Sequence, residues 1–255
     1  MAKNTEEVKT IFITGTDTGV GKTLLTGLLL HHLRTEGCHA LAMKPFCSGG
    51  RGDVEFLHAL QDGELSEREI NPFYFHEPVA PLLAARKNAR AIHLKDVVTR
   101  IQAIVSQLGA RGGAKCLLIE GAGGLLVPLG EKKASHRGVT GGGVLAGNKI
   151  YTLGDVINEL DCRVIVVAPN RLGTINHTLL TVRELQHIGI KNVTIVIMGA
   201  EKPENSTKTN PKLLMELVAP MNVFSVRFFQ KEPFEIATLK KNAKNIKKTL
   251  ALIVA

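Results

Sequence analysis

The residues with the clearest capacity for chemistry lie between Gly15 and Thr23, which read Gly-Thr-Asp-Thr-Gly-Val-Gly-Lys-Thr. An apolar run precedes this segment and a leucine-rich run follows it, which indicates a strand, a glycine-rich turn and a helix. Glycines let backbone N–H groups curl around an anion, and the helix N-terminus adds about half a positive charge to the full charge of Lys22. The segment therefore predicts a phosphate-binding loop in which the hydroxyl of Thr23 binds Mg²⁺.

The loop is a variant of the Walker A motif. Five residues rather than four separate Gly15 from Gly21, so Thr16 stands where the first glycine of the motif usually does. We expect ATP to contact this loop together with the end of a later strand. The expected nucleotide-binding residues are Asp17, Thr18, Gly19, Val20, Gly21, Lys22, Thr23, Leu24, Glu120, Gly121, Gly123 and Gly124.

Apolar runs typical of buried strands alternate with helical patterns along the chain. These runs are Thr10–Ile13, Ala40–Met43, Lys115–Ile119, Arg163–Ala168 and Asn192–Met198. The alternation predicts an α/β fold, a P-loop NTPase with a mostly parallel sheet and helices on both faces. Helices are predicted over Lys22–Thr35 and Leu94–Leu108, and a third begins near Asn176 and ends before Gly189.

Polar residues follow these runs at the carboxyl ends of the strands, where parallel sheets bind their ligands. Glu120 follows four largely apolar residues, as an acidic Walker B residue would, and is predicted to hold Mg²⁺ with Thr23. Asp53 is a candidate for a second carboxylate on the same metal. Spacing alone leaves open that Asp53 caps a helix over Val54–Ala59, or that Glu55 takes its place.

Lys44 directly follows the second apolar run. A nucleotide switch does not need a second lysine at a strand end, whereas phosphoryl transfer between two anionic partners does. Lys44 could neutralise the acceptor oxygen as the γ-phosphate moves. A surface lysine beside Pro45 is the alternative that spacing leaves open.

Length and composition limit the classes of protein. The 255 residues contain no Pro/Ser-rich linker, so one domain is predicted over 1–255, with a flexible glycine-rich insertion at 130–150. No apolar stretch approaches the roughly 20 residues that span a bilayer, and the first residues lack the apolar core of a signal peptide. Four scattered cysteines argue against zinc and against a disulfide framework. A cytoplasmic protein without a membrane partner is expected.

The net charge of +9 comes partly from the lysine-rich segment Lys240–Lys248. This segment contains no aromatic residue, which favours a solvated helix face over a nucleic-acid surface. No nucleic-acid partner is therefore expected, and the charge could attract an anionic nucleotide.

Several segments, taken in order, resemble the dethiobiotin synthetases. They are the phosphate loop, Lys44-Pro45 with Ser48-Gly49, Asn71–Phe75 with Pro78 and Pro81, Glu120–Gly124 with Pro128-Leu129, and Leu172–His177. The resemblance implies a ligase of biotin biosynthesis. In these enzymes 7,8-diaminopelargonate and CO₂ form a carbamate, ATP phosphorylates it to a carbamic-phosphoric anhydride, and the second amine closes the ring to dethiobiotin.

The resemblance also implies catalytic roles. Lys22 would bind the phosphates and assist transfer, while Thr18 and Lys44 would hold the carbamate and the γ-phosphate. Ser48 would lie beside them.

The same resemblance implies a metal site and a dimer. Thr23, Asp53 and Glu120 would bind Mg²⁺. The turn Leu172–Asn176, which opens a helix, would meet the substrate's carboxylate across a homodimer interface, with Asn176 as the contact.

The chain departs from the family's pattern near the base. Gly199 follows the last apolar run where members commonly carry an asparagine that reads adenine, so relaxed base selectivity is a hypothesis. Gly19 stands where some members have an acidic residue that helps to position the acceptor amine. No site residue is predicted in Pro220–Phe234.

A partition-type ATPase, which dimerises as a nucleotide switch, is the alternative from another class. The basic tail favours it. Such switches usually place a signature lysine early in the phosphate loop, however, and Asp17 holds that position here.

Overall fold

A computed structural model describes residues 7–132, 150–230 and 232–255. The strands are β1 (Lys9–Gly15), β2 (His39–Met43), β3 (Phe46–Ser48), β4 (Phe73–Phe75), β5 (Lys115–Gly124), β6 (Pro128–Glu131), β7 (Ile150–Thr152), β8 (Arg163–Pro169), β9 (Val193–Met198) and β10 (Asn222–Val226). The helices are α1 (Lys22–Thr35), α2 (Gly52–Leu60), α3 (Glu67–Ile70), α4 (Pro81–Lys87), α5 (Leu94–Gly109), α6 (Leu153–Leu160), α7 (Thr174–His187), α8 (Asn205–Leu217), α9 (Ile236–Asn245) and α10 (Lys247–Val254). No helix within the described ranges is both long enough and apolar enough to cross a bilayer.

A parallel sheet of six strands, in the order β10-β9-β8-β1-β5-β2, forms the centre of the fold. The helices flank it, which confirms the predicted α/β class. Each of the five predicted strands is present, and α1 has the predicted bounds. Helix α7 begins two residues earlier than predicted, at Thr174, because the left-handed Gly173 (φ 88°) serves as its N-cap.

The register of the central strands places three chemical groups together. Ile13 of β1 lies opposite Glu120 of β5, and Met43 of β2 lies opposite Ile119. Lys44 therefore leaves β2 beside Glu120, and the phosphate loop leaves β1 at the same edge. These strands are buried at consecutive positions, so side chains on both faces are close-packed, and this packing holds the register.

Asp53 does not cap α2. The N-cap is Arg51, and Asp53 lies in the first turn of the helix, where a carboxylate suits the helix dipole. Its side chain is therefore available to a neighbouring group. The alternative that spacing left open, a capping role, is wrong.

The segment 130–150 begins and ends in a strand pair. Strands β6 and β7 are antiparallel, with Pro128 opposite Thr152 and Glu131 opposite Ile150. Arg86 of α4 donates hydrogen bonds to Glu131. The glycine-rich part, Gly138–Gly147, lies outside the described residues, so its predicted flexibility stays a prediction.

A cluster of charges ties the far end of the sheet to the loop after α2. Glu64 accepts hydrogen bonds from Arg34 (2.7 Å) and Arg111 (2.8 Å) and lies 3.0 Å from Nε2 of His39. Burial alone would raise the pKa of Glu64, but the hydrogen bonds from these three basic side chains lower it to about 2. The cluster is thus a source of stability that depends on pH.

We expect Glu64→Gln to destabilise the protein by about 1–2 kcal/mol at pH 7, since Glu64 is partly exposed and its ion pairs are partly screened. A carboxylate with a lowered pKa in the folded state adds stability above its unfolded pKa of about 4.3 and loses it as the pH falls to about 2. Urea unfolding of both proteins between pH 7 and pH 2 would measure the converging free energies. Glu77→Gln, which removes an exposed ion pair with Lys87, is the control. If the free energies of unfolding of the wild-type protein and Glu64→Gln differed by the same amount at every pH, the ion pairs of Glu64 would not be the source of this stability.

Candidate active site

Glycines determine the backbone conformation of the phosphate loop, and the side chain of Lys22 donates a hydrogen bond across it. Gly19 (φ 70°) and Gly21 (φ 98°) adopt left-handed conformations that favour glycine. A Cβ on Gly15 would lie 2.8 Å from Val20 and 3.0 Å from Nζ of Lys22, so no larger residue fits there. The ammonium of Lys22 donates to the carbonyl of Asp17 (2.7 Å), and burial lowers the pKa of Lys22 to about 8.

Glu120 is the centre of the polar network behind the loop. Its side chain is fully buried, and its Oε1 accepts hydrogen bonds from Oγ1 of Thr23 (2.7 Å) and from Nζ of Lys44 (2.8 Å). The ammonium of Lys44 also bonds the carboxylate of Asp53. Side chains from α1, from α2 and from the residue after β2 therefore meet at Glu120 of β5, which lies far from all three in sequence.

Lys44 is a buried cation with two anionic partners. Burial alone would lower the pKa of Lys44, but the carboxylates of Glu120 and Asp53 raise it above its usual value. The side chain is therefore charged at neutral pH. The alternative of a surface lysine beside Pro45 is wrong.

The oxygen atoms of this network fit a magnesium site. Oε2 of Glu120 is buried and has no hydrogen-bond partner among the described residues. A buried carboxylate oxygen without a partner is costly, and a bound cation would satisfy it. The carboxylate of Asp53 and the hydroxyl of Thr23 supply further oxygen donors of the kind that Mg²⁺ prefers.

These groups line a cavity of about 320 Å³. Its lining consists of Thr18, Gly19, Gly21, Lys22, Thr23, Leu24, Lys44, Asp53, Glu120, Gly121, Gly123 and Phe234. All but Phe234 were expected from the sequence. Phe234 ends the segment Pro220–Phe234, in which no site residue was predicted, and only the fold brings it to the phosphate loop.

Other expected site residues lie outside this lining. Asp17 is exposed and accepts a hydrogen bond from the backbone of Thr18, whereas Val20 is buried in the core. Gly124 lies at the end of β5. Oγ of Ser48 is buried without a partner at the end of β3.

Asn176, the residue predicted to contact the substrate's carboxylate, lies apart from these groups. It is exposed in the first turn of α7 and does not line the cavity. The predicted contact between Asn176 and substrate therefore stays a prediction.

A family model described as an AAA domain matches residues 9–137 and 139–234. An ATP-dependent dethiobiotin synthetase of Bacillus licheniformis is 35% identical over 213 residues, which cover 81% of this chain and 80% of the relative. The chain belongs to the dethiobiotin synthetase family. A second synthetase, from Anaeromyxobacter sp. strain Fw109-5, is 37% identical over 206 residues, 79% of this chain and 82% of the relative.

The solved structures that this chain resembles share its fold at low sequence identity. The MinD cell division protein of Aquifex aeolicus matches with a TM-score of 0.56 over 97% of each chain, at 11% sequence identity. The two synthetase relatives confirm the resemblance that the sequence motifs indicated. The partition-type alternative shares the fold with the chain but fits its sequence relatives less well.

Proposed function

We propose that this chain converts 7,8-diaminopelargonate, CO₂ and ATP to dethiobiotin, ADP and phosphate. The observation that carries the proposal is Lys44, a buried second cation in the cavity of a phosphate loop. Phosphoryl transfer to an anionic acceptor needs two such cations, because both the donor and the acceptor carry negative charge. The family membership of the chain supports the same reaction.

The reaction divides into three steps. One amine of the substrate attacks CO₂ and gives up a proton, which leaves a carbamate. A carbamate oxygen then attacks the γ-phosphorus as ADP leaves. The second amine attacks the carbonyl carbon of the mixed anhydride and gives up a proton as phosphate leaves. No protein atom forms a covalent bond, so the chain acts by positioning and by charge.

Each cation has its own part in the transfer step. Lys22 lies against the loop that receives the phosphates, and Lys44 faces the same cavity from β2. We assign Lys22 to the β- and γ-phosphates and Lys44 to the carbamate oxygen and the moving phosphoryl group. Thr18, which also lines the cavity, would donate to the carbamate, and Ser48 would support this end of the site.

Thr23, Asp53 and Glu120 would hold Mg²⁺ in this proposal. When bound, the ion neutralises charge on the phosphate oxygens. The unpartnered oxygen of Glu120 supports this assignment. With the ion present, Lys44 and the ion would share the carboxylates of Glu120 and Asp53, and the third N–H of Lys44 would donate to substrate.

We also propose a homodimer formed through α7. Asn176 and Leu180 are four residues apart in α7 and therefore share one side of the helix, and Leu172 lies in the turn just before it. Leu172 is 80% exposed and Leu180 is 58% exposed. Exposed leucines before and after Asn176 support an interface with a second copy, whose substrate carboxylate Asn176 would meet.

We expect Leu180→Glu to produce a monomer, because a charge at each of two symmetric positions opposes association. Light scattering coupled to gel filtration would measure the mass of the wild-type protein and of the variant. Leu252→Glu, at an exposed leucine of α10, is the control and should leave the mass unchanged. A monomeric wild-type protein would contradict the proposed dimer.

Phosphate release from ATP and Mg²⁺ with bicarbonate, measured with and without 7,8-diaminopelargonate, tests the proposed reaction against the partition-type switch. The synthetase should release phosphate only when the diamine is present. Release at the same rate without the diamine would favour the switch. The cytoplasmic location and the absence of nucleic-acid and membrane partners stay predictions.

A further inference from the structure

Phe234 has no part in binding phosphate or metal, yet it lines the cavity of the phosphate loop. Among the described residues of that lining it is the single aromatic side chain, and apart from Leu24 the other lining residues are glycines or carry charged or hydroxyl side chains. It is 49% exposed, so much of the ring is free to contact a ligand. An aromatic ring offers a phosphate neither a hydrogen-bond donor nor a positive charge, so its presence in this wall needs another explanation.

The ring of Phe234 is held in place from behind. It packs edge-to-face on Phe56 of α2, with ring centroids 5.4 Å apart and the planes at 80°. Phe56 is 8% exposed and in turn lies against Gly27 of α1, where a Cβ would come within 2.6 Å of its ring. Two helices thus support the position of Phe234, and this arrangement loses little side-chain entropy when a ligand binds.

The part of a nucleotide that suits this ring is its base. The phosphates bind at the loop, so the base must lie at another part of the cavity or at its mouth, and it is the only flat aromatic group in the ligand. We propose that Phe234 is the surface on which the base of the nucleoside triphosphate stacks. The inference rests on the proposed function for the identity of the ligand class.

A stacking surface explains how the site could work without a side chain that reads the base after β9. A Cβ on Gly199 would lie 2.4 Å from the backbone nitrogen of Phe228, so no larger residue fits there in this backbone. Stacking uses the π face that every base possesses, and it therefore tolerates different bases. Phe234 would give affinity for the nucleotide with little selectivity between purines and pyrimidines.

Calorimetric titration of the full chain with ATP, CTP, GTP and inorganic tripolyphosphate, in Mg²⁺ and without the diamine, tests this inference. We expect Phe234→Ala to weaken all three nucleotides by about 5- to 100-fold, the usual loss for one stacked base. Tripolyphosphate has no base, so its affinity should not change. Phe234→Trp should restore the binding of the nucleotides.

Two results would overturn the inference. One is unchanged nucleotide affinity in Phe234→Ala, and the other is an equal loss of nucleotide and tripolyphosphate affinity, which would indicate a purely structural role. Phe228→Ala is the matched control, because Phe228 is exposed in the same segment but does not line the cavity; a loss of nucleotide affinity in that variant alone would likewise exclude Phe234. Base-dependent binding without dethiobiotin synthesis would remove the proposed function and leave this inference standing.

Discussion

Lys44→Met is expected to lower the turnover number by about 10²- to 10³-fold, the usual cost of losing one preorganised contact to the transition state. The affinity for ATP should change only a few-fold, because the phosphate loop and Lys22 remain. Steady-state rates of product formation, together with direct titration of ATP, would separate the two effects. Turnover close to that of the wild-type protein would contradict the role of Lys44.

Folding of this variant needs its own control, since Glu120 loses a cation that lies 2.8 Å away in the buried network. Lys44→Arg keeps the positive charge but places it differently, and we expect a fall in turnover of at least about ten-fold. Lys87→Met removes an exposed lysine whose partner is Glu77 and should leave turnover unchanged. A fall in Lys44→Arg without a change in its melting temperature would assign the loss to catalysis.

Glu120→Gln is expected to abolish the stabilisation that Mg²⁺ adds to the ATP complex. The amide keeps the shape of the side chain but loses the charge, and the buried oxygen that lacks a partner becomes part of a neutral group. Turnover should fall by at least about 10²-fold, since the ion that neutralises the phosphates would be held poorly. Melting temperatures with ATP, with and without Mg²⁺, would measure the effect.

Glu131→Gln is the matched control for this change, because Glu131 is exposed and its carboxylate pairs with Arg86 at the surface. It should retain the full response to Mg²⁺. If Glu120→Gln also retained that response, Glu120 would not be a metal ligand. The buried carboxylate would then serve only to hold Lys44 and Thr23.

The part of the site that sequence could predict is the part fixed by strand ends. Lys44 and Glu120 each follow an apolar run, and parallel strands direct their carboxyl ends to one edge. The observed register, with Met43 opposite Ile119, then makes these two residues neighbours. The apolar runs were sufficient here because a strand buried on both faces is apolar throughout, and the run ends where the polar site residue begins.

Other features depend on packing that no local pattern records. Asp53 does not cap α2 because the helix begins at Gly52, and its contact with Lys44 depends on the position of α2, which packs against α1 and α3. Strand β10 escaped prediction because it is a partly exposed edge strand with no sustained apolar run. Phe234 joins the site because the chain returns over the sheet edge after β10, so its neighbour Phe56 lies 178 positions earlier in the sequence.

Mass spectrometry of the products formed from ¹³C-bicarbonate, ATP, Mg²⁺ and 7,8-diaminopelargonate would test the synthesis of dethiobiotin most directly. We expect labelled dethiobiotin, formed in proportion to the phosphate released and absent when either ATP or the diamine is omitted. ATP hydrolysis without labelled dethiobiotin would contradict the proposed function.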